Sequence, residues 1–237
     1  MRISRGLAGL LLAAFMTAAS ADEPMPGMTM GGMNAEMGDQ IYAHALLDQF
    51  EGRFGAGGPS FRWDGQGWIG GDYDKLWVKS EGLVQSGGKV SDGDHELLYD
   101  RAISTYFDLQ AGLRSDIDSF TTRNWAAFGV HGLAPLFFEV AATGYVSDSG
   151  HLAAKLQASY DLLLTQRLIL QPEIELNLYS KADPGRRIER GVSDIDAGLR
   201  LRYELTRKIA PYLGATYSEQ SGQTADFRLT AGIRAWF

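Results

Sequence analysis

The chain has 237 residues, 29 of them glycine and none cysteine, with a formal charge of −7 at neutral pH. Without cysteine there is no disulfide framework, no thiolate metal site and no cysteine nucleophile. The acidic balance argues against a nucleic-acid partner and suits cationic ones, and no stretch of eighteen consecutive apolar residues follows the leader to form a transmembrane helix.

In chain order, residues 1–21 have the form of a secretory signal peptide. Arg2 and Arg5 make a basic start, LAGLLLAAFM (7–16) an apolar run too short to span a bilayer, and Ala19-Ser20-Ala21 a small-x-small cleavage site. Removing this leader takes two arginines and no acid, so the mature charge becomes −9. No cysteine follows the cleavage site, so a lipoprotein is not expected. Residues 22–40 contain MPGMTMGGMNAEM (25–37), which holds five of the seven methionines. This segment has no periodic apolar face and is expected to be disordered.

Residues 41–237 alternate. In LILQPEIELNLYS (168–180), Leu168, Leu170, Ile174, Leu176 and Leu178 oppose Gln171, Glu173, Glu175, Asn177 and Tyr179. In VSDIDAGLRLRYEL (192–205), Ile195, Ala197, Leu199, Leu201 and Tyr203 oppose Asp194, Asp196, Arg200, Arg202 and Glu204. Side chains with period two lie on opposite faces of a strand. Twelve strands are predicted, at 45–54, 59–71, 75–85, 89–103, 107–117, 123–134, 137–147, 151–163, 167–180, 191–205, 210–220 and 226–237. The first reads equally well as opening in a short helix (QIYAHALLDQF, 40–50), and HELLYDRAI (95–103) in the fourth alternates poorly.

Soluble sandwiches also alternate. Their strands are typically about five or six residues long, whereas a tilted membrane strand needs about nine to eleven. The predicted strands are long and their polar faces charged throughout, as in a wet lumen. The expected fold is therefore all-β: a transmembrane antiparallel up-and-down β-barrel of about 12 strands behind a disordered N-terminal segment. Connections after even strands are short, and the longest, KADPGRRIER (181–190), follows strand nine. This sorting puts the N-terminus, the tail and the short turns in the periplasm and the long loop outside the cell. The terminal Phe237 on an apolar alternating strand resembles the end of bacterial outer-membrane barrels. Trp68, Tyr73, Trp77, Tyr106, Phe107, Phe137, Phe138, Tyr179, Tyr212, Trp236 and Phe237, at strand ends, are candidates for the interfacial girdles. A twelve-stranded lumen is expected to be narrow and partly blocked by its own charges.

Methionine is ordinarily core filler, but the barrel region has none. Met25, Met28, Met30, Met33 and Met37 sit among glycines in a segment with nothing to pack against. Thioether sulfur is a soft donor that favours Cu(I), and Gly27, Gly31 and Gly32 permit tight turns around one ion. The alternative is a low-complexity tail with no role. His44, His95, His131 and His151 are well separated and lack zinc-type spacing. His131 and His151 fall on lumen-facing phases, where an ordinary hydrogen-bonded histidine competes with a lumenal copper ligand. Glu173, Glu175, Asp194 and Asp196 with Arg200, Arg202, Arg228 and Arg234 are expected to pair and fill the lumen rather than form an open cation path.

Six stretches carry a family resemblance: DGQGWIGGDYDKLWVKSEG (64–82), LLYDRAISTYFDLQAGLR (97–114), VHGLAPLFFEV (130–140), LLLTQRLILQPEIELNLYS (162–180), GVSDIDAGLRLRYE (191–204) and APYLGATY (210–217). In them the chain resembles the copper resistance protein B family of bacterial outer-membrane proteins. The resemblance implies copper binding, outer-membrane residence and tolerance of excess copper. The family tail usually mixes His with Met. Here no His lies within 25–37, which shifts the expectation from Cu(II) toward Cu(I), and the five methionines carry over as a motif type rather than as aligned ligands.

Two rival classes stand beside this reading. A barrel lipid hydrolase needs a nucleophile within hydrogen-bond reach of a histidine, and no serine partner for a histidine is evident on a neighbouring strand. A general structural barrel or diffusion pore gives the tail no role. The reading adopted is a non-enzymatic outer-membrane copper protein. Its periplasmic tail captures copper and passes it to a periplasmic copper carrier, or to or through the barrel.

Overall fold

The computed structural model describes residues 40–117, 122–183, 188–220 and 225–237. The signal segment and all five tail methionines lie outside these residues. Twelve long strands make one sheet: β1 (Tyr42–Gly55), β2 (Ser60–Gly70), β3 (Asp74–Val84), β4 (Val90–Ala102), β5 (Phe107–Asp116), β6 (Arg123–Ala134), β7 (Phe138–Ser147), β8 (Leu152–Ser159), β9 (Leu168–Tyr179), β10 (Gly191–Tyr203), β11 (Ile209–Gln220) and β12 (Asp226–Trp236). Each pairs antiparallel with its successor, and β12 pairs with β1 through Leu46↔Trp236 and Leu47↔Ala235. Phe237 and Ala45 exchange both backbone hydrogen bonds at 2.8 and 2.9 Å, which seals the seam. The sheet is a closed up-and-down barrel with no free edge, the form a sheet must take where no water can satisfy an open one.

The alternation resolves into inside and outside. Leu113, Phe128, Leu213, Phe227 and Leu229 are 61–72% exposed on the outer surface. Buried on the inside are Gln49, Glu51, Arg53, Arg62, Glu96, Asp100, Arg114, Glu175, Arg200 and Arg202. This is the inverse of a soluble protein and the arrangement of a barrel whose outer face meets lipid.

Both doubtful strands are strands. Residues 42–50 are extended from Tyr42 onward, with no helix. In β4 the pattern is blurred because an apolar residue faces inward. Leu98 is 1% exposed and packs with Trp125, Ala127 and Tyr145 in a small cluster on the lumenal wall. Its neighbours keep the rule: Glu96 and Asp100 are buried while Leu97 and Tyr99 are about half exposed.

β8 breaks after Ser159 and resumes as the two-residue segment Leu162–Leu163 opposite Ile169–Leu170. Pro172 of β9 explains the break. Its carbonyl accepts from Tyr160 N at 3.1 Å, so its nitrogen also faces β8 and has no hydrogen to give.

Turns after even strands span 71–73, 103–106, 135–137, 164–167 and 204–208, a uniformly short rim. The opposite rim carries the long 180–190 connection between β9 and β10, but also two four-residue links, 56–59 and 148–151. The length asymmetry between the rims is therefore carried by a few loops rather than by all of them.

Candidate functional site

The lumen is crossed by charge pairs. Arg62 on β2 meets Glu175 on β9 at 3.2 Å and Glu81 on β3 at 3.5 Å. Lys155 on β8 pairs with Glu81 and with Glu175, the latter at 3.4 Å. Beside this crossbar, Glu51 accepts from Arg53 Nε at 2.7 Å, Arg200 Nε at 3.0 Å and Tyr212 Oη at 2.9 Å. Arg200 reaches Glu173 at 2.6 Å, and Arg53 reaches Asp196 at 2.8 Å. On the far wall Arg114 bridges Asp94 (2.6 Å) and Asp116 (2.7 Å). Arg228 pairs with Asp226, and Arg234 with Asp48. The acids and arginines of the alternating polar faces thus neutralise one another, as their mixed signs predict.

Between the crossbar and the short-turn rim lies a cavity of about 540 Å³. Seven acids line it (Asp48, Asp64, Glu81, Asp94, Glu96, Glu139 and Glu173) against Lys79, Lys155 and Arg234. A low-dielectric wall with excess carboxylate concentrates cations. His44 and His131 also line this vestibule. His44, the third residue of β1, lies 6.1 Å from the Trp68 ring and 6.0 Å from Trp236. β1 begins on this rim, so the Met-rich segment joins the barrel where the vestibule opens.

At the same rim the sheet register brings three ligand-type side chains together. Ala102 pairs with Asp108 between β4 and β5, and Asp108 pairs with His131 between β5 and β6. With Asp100, two residues before Ala102, they place one ligand atom each within 4.8 Å of one another. His131 Nε2 is 2.7 Å from Asp100 Oδ2 and 3.9 Å from Asp108 Oδ2. Gln110 donates to Asp100 Oδ2 at 3.0 Å, and the Trp77 ring meets His131 edge-on at 5.3 Å.

The other histidines lie elsewhere. His151 sits in the β7–β8 connection on the opposite rim, where its backbone N–H bonds Ser147 Oγ at 3.0 Å; it is not with His131. His95 alternates with inward Asp94 and Glu96 and therefore points outward. The His131 side chain belongs to β6, which runs to Ala134, and the turn begins only at Pro135.

The aromatic girdle needs correction. Tyr73, Tyr106, Phe137, Phe138 and Phe237 are exposed on the short-turn rim as a girdle requires. Trp68, Trp77, Tyr179 and Tyr212 instead belong to the interior, while Trp236 is 39% exposed at the rim with its ring turned to His44. Trp77 lines the vestibule, and Trp68 packs on Trp77 and His44. Tyr179 packs on the Leu98 cluster, and Tyr212 bonds Glu51. Their side-chain parity, not their position at a strand end, decides the face.

A closed barrel, greasy outside and charge-filled inside, is the architecture of the porin-type β-barrels. The NanC porin structure superposes with a TM-score of 0.57 at 12% identity, over 79% of this chain and 98% of that one. The KdgM porin in complex with disordered oligogalacturonate superposes at 0.50, also at 12% identity, over 83% and 99%. At such identity the fold alone is shared. Within that class, the chain belongs to the copper resistance protein B family: residues 41–237 match the family described as copper resistance protein B precursor (CopB). It is 40% identical to the copper resistance protein B of Escherichia coli, over 90% of this chain and 79% of that protein. It is 42% identical to the copper resistance protein B homolog of Pseudomonas syringae pv. tomato, over 83% and 70%. The family ties the chain to copper resistance.

Proposed function

We propose that the protein is a non-enzymatic outer-membrane barrel whose N-terminal tail lies in the periplasm and captures copper as Cu(I). Met25, Met28, Met30, Met33 and Met37 supply the thioether donors, and glycine-rich turns let several sulfurs close on one ion. Copper passes from the tail to the acid-lined vestibule, or to a periplasmic copper carrier.

The observation that carries this reading is the attachment of the tail. The chain enters β1 at Tyr42, on the rim where the vestibule opens. Five extended residues span up to about 17 Å, enough to lay Met37 over the mouth. The outward apolar surface supports residence in a lipid bilayer, and the family supports the metal. A general diffusion pore accounts less well for a lumen barred by Arg62, Glu175, Lys155 and Glu81.

The test is a Cu(I) titration of the mature chain against a competing chelator, repeated with all five methionines changed to Ile. Loss of tight binding in the variant is the expected result. Equal affinity in the two chains would remove the tail from the mechanism.

A further inference from the structure

We propose that Asp100, Asp108 and His131 form a second copper site, one for Cu(II), in the wall of the vestibule just inside the short-turn rim. The inference rests on the reading that copper enters the vestibule, but it needs neither the tail nor a change of oxidation state. Cu(II) arrives as Cu(II) and exchanges ligands.

The geometry is that of a converging donor set. Ligand atoms about 2 Å from one metal ion stand roughly 3–4 Å from each other. His131 Nε2 lies 2.7 and 3.9 Å from the two carboxylate oxygens. One imidazole and two carboxylates are nitrogen and oxygen donors, which suit Cu(II), the strongest binder among the common divalent ions, better than Cu(I), which favours sulfur. The supporting contacts are those that orient metal ligands: the Gln110 amide holds Asp100, and the Trp77 edge fixes the His131 ring. His131 lines the vestibule, so the site has an entrance.

A second observation points to a cation as ligand. Asp100 is 0% exposed, and its Oδ1 is buried with no hydrogen-bond partner. Buried carboxylate oxygens are ordinarily satisfied. The nearest positive charge is Lys75, whose Nζ stands 3.7 Å from that oxygen and 3.3 Å from Asp108 Oδ2. The same ammonium lies 5.8 Å from the Trp68 ring centroid. Lys75 serves as a displaceable counter-ion: it balances part of the carboxylate charge without satisfying Oδ1, and its flexible stem lets it swing toward Trp68 when a metal enters.

The experiment uses the full mature chain in detergent with the five tail methionines changed to Ile, titrated with Cu(II) against a competing chelator and read by electron paramagnetic resonance. One Cu(II) per chain with coupling to a single nitrogen is expected. His131→Gln should abolish the nitrogen coupling and weaken binding about tenfold or more. Asp108→Asn should weaken binding and keep the coupling, and Lys75→Met should tighten binding several-fold. His44→Gln should change nothing. Nitrogen coupling that survives His131→Gln or disappears with His44→Gln overturns the site, as does Cu(II) affinity unaltered by Lys75→Met. Each variant is checked for the heat-shifted gel mobility of a folded barrel. The two readings fail separately: Cu(I) affinity indifferent to the methionines defeats the tail alone, and Cu(II) binding indifferent to His131 defeats this site alone.

Discussion

Arg62 on β2 and Glu175 on β9 stand 3.2 Å apart although their strands lie five places apart around a ring of twelve. Lys155 on β8 and Glu81 on β3, also five places apart, meet in the same way. Side chains from opposing walls therefore close the middle of the lumen. A charged pair held in a narrow lumen resists ion flow by volume and by field; neutralising both partners lifts the field, and truncating the arginine lifts much of the volume.

Arg62→Ala with Glu175→Gln is expected to raise single-channel conductance in planar bilayers several-fold over the unmodified chain. Removing both partners avoids stranding one buried charge. Unchanged conductance in the double variant would mean that Lys155–Glu81 alone bars the lumen, which Lys155→Ala with Glu81→Gln then tests.

Orientation is tested by single cysteines, which the cysteine-free chain makes unambiguous. Asp74 opens β3 beside the short β2–β3 turn, and Asp183 lies in the long β9–β10 connection. With the short-turn rim in the periplasm, an impermeant maleimide on intact cells labels a cysteine at Asp183 and leaves one at Asp74 unlabelled. The reverse pattern would turn the barrel over and expose the tail to the outside.

All twelve strands are legible in the sequence because a barrel wall between lipid and water imposes period two along its whole length. Two irregularities in the wall, one of them a doubtful place in the sequence and the other seen only in the structure, have physical causes. Leu98 faces inward because the lumenal wall holds a small apolar cluster with Trp125 and Tyr145, and β8 is cut where Pro172 withholds a hydrogen bond. The copper-ligand cluster is not legible from spacing. His131 lies 31 residues from Asp100, and only the registers Ala102↔Asp108 and Asp108↔His131 bring the three together. A signal was nonetheless present: all three lie on inward phases within a few residues of short turns. The same parity rule separates interior Trp77 and Tyr212 from the exposed girdle, which strand-end position alone does not.

Glu51 is the hub of the charge network, 0% exposed and bonded by Arg53, Arg200 and Tyr212. Arg53 keeps Asp196 and Arg200 keeps Glu173 when Glu51 is neutralised, so neither guanidinium is left alone. Glu51→Gln is therefore expected to cost about 2–3 kcal/mol, below the figure for a fully stranded partner. Tyr212→Phe, which removes one hydrogen bond, should cost about 1 kcal/mol. Urea unfolding from lipid vesicles, followed by tryptophan fluorescence, measures both. An equal cost for the two would show that Glu51 acts as an ordinary acceptor rather than as a hub.

The outer wall offers a test of packing independent of charge. Trp63 on β2 pairs with Gly82 on β3 and lays its ring across the space a side chain there would fill, while its Nε1 donates to Ser80 Oγ at 3.1 Å. A methyl group at residue 82 would collide with the ring, so Gly82→Ala must swing the indole out and break that hydrogen bond. A cost of about 1–2 kcal/mol follows. Gly144→Ala on β7 is the control, because a Cβ there meets only a carbonyl oxygen at 3.8 Å, an ordinary contact; it should stay within about 0.5 kcal/mol of the parent. Trp63→Ala removes both the ring and the clash, so adding Gly82→Ala to it should cost almost nothing further. The coupling energy between the two positions, read from the four unfolding curves, isolates the contact. A value near zero would mean that Trp63 already rests clear of Gly82 in the bilayer.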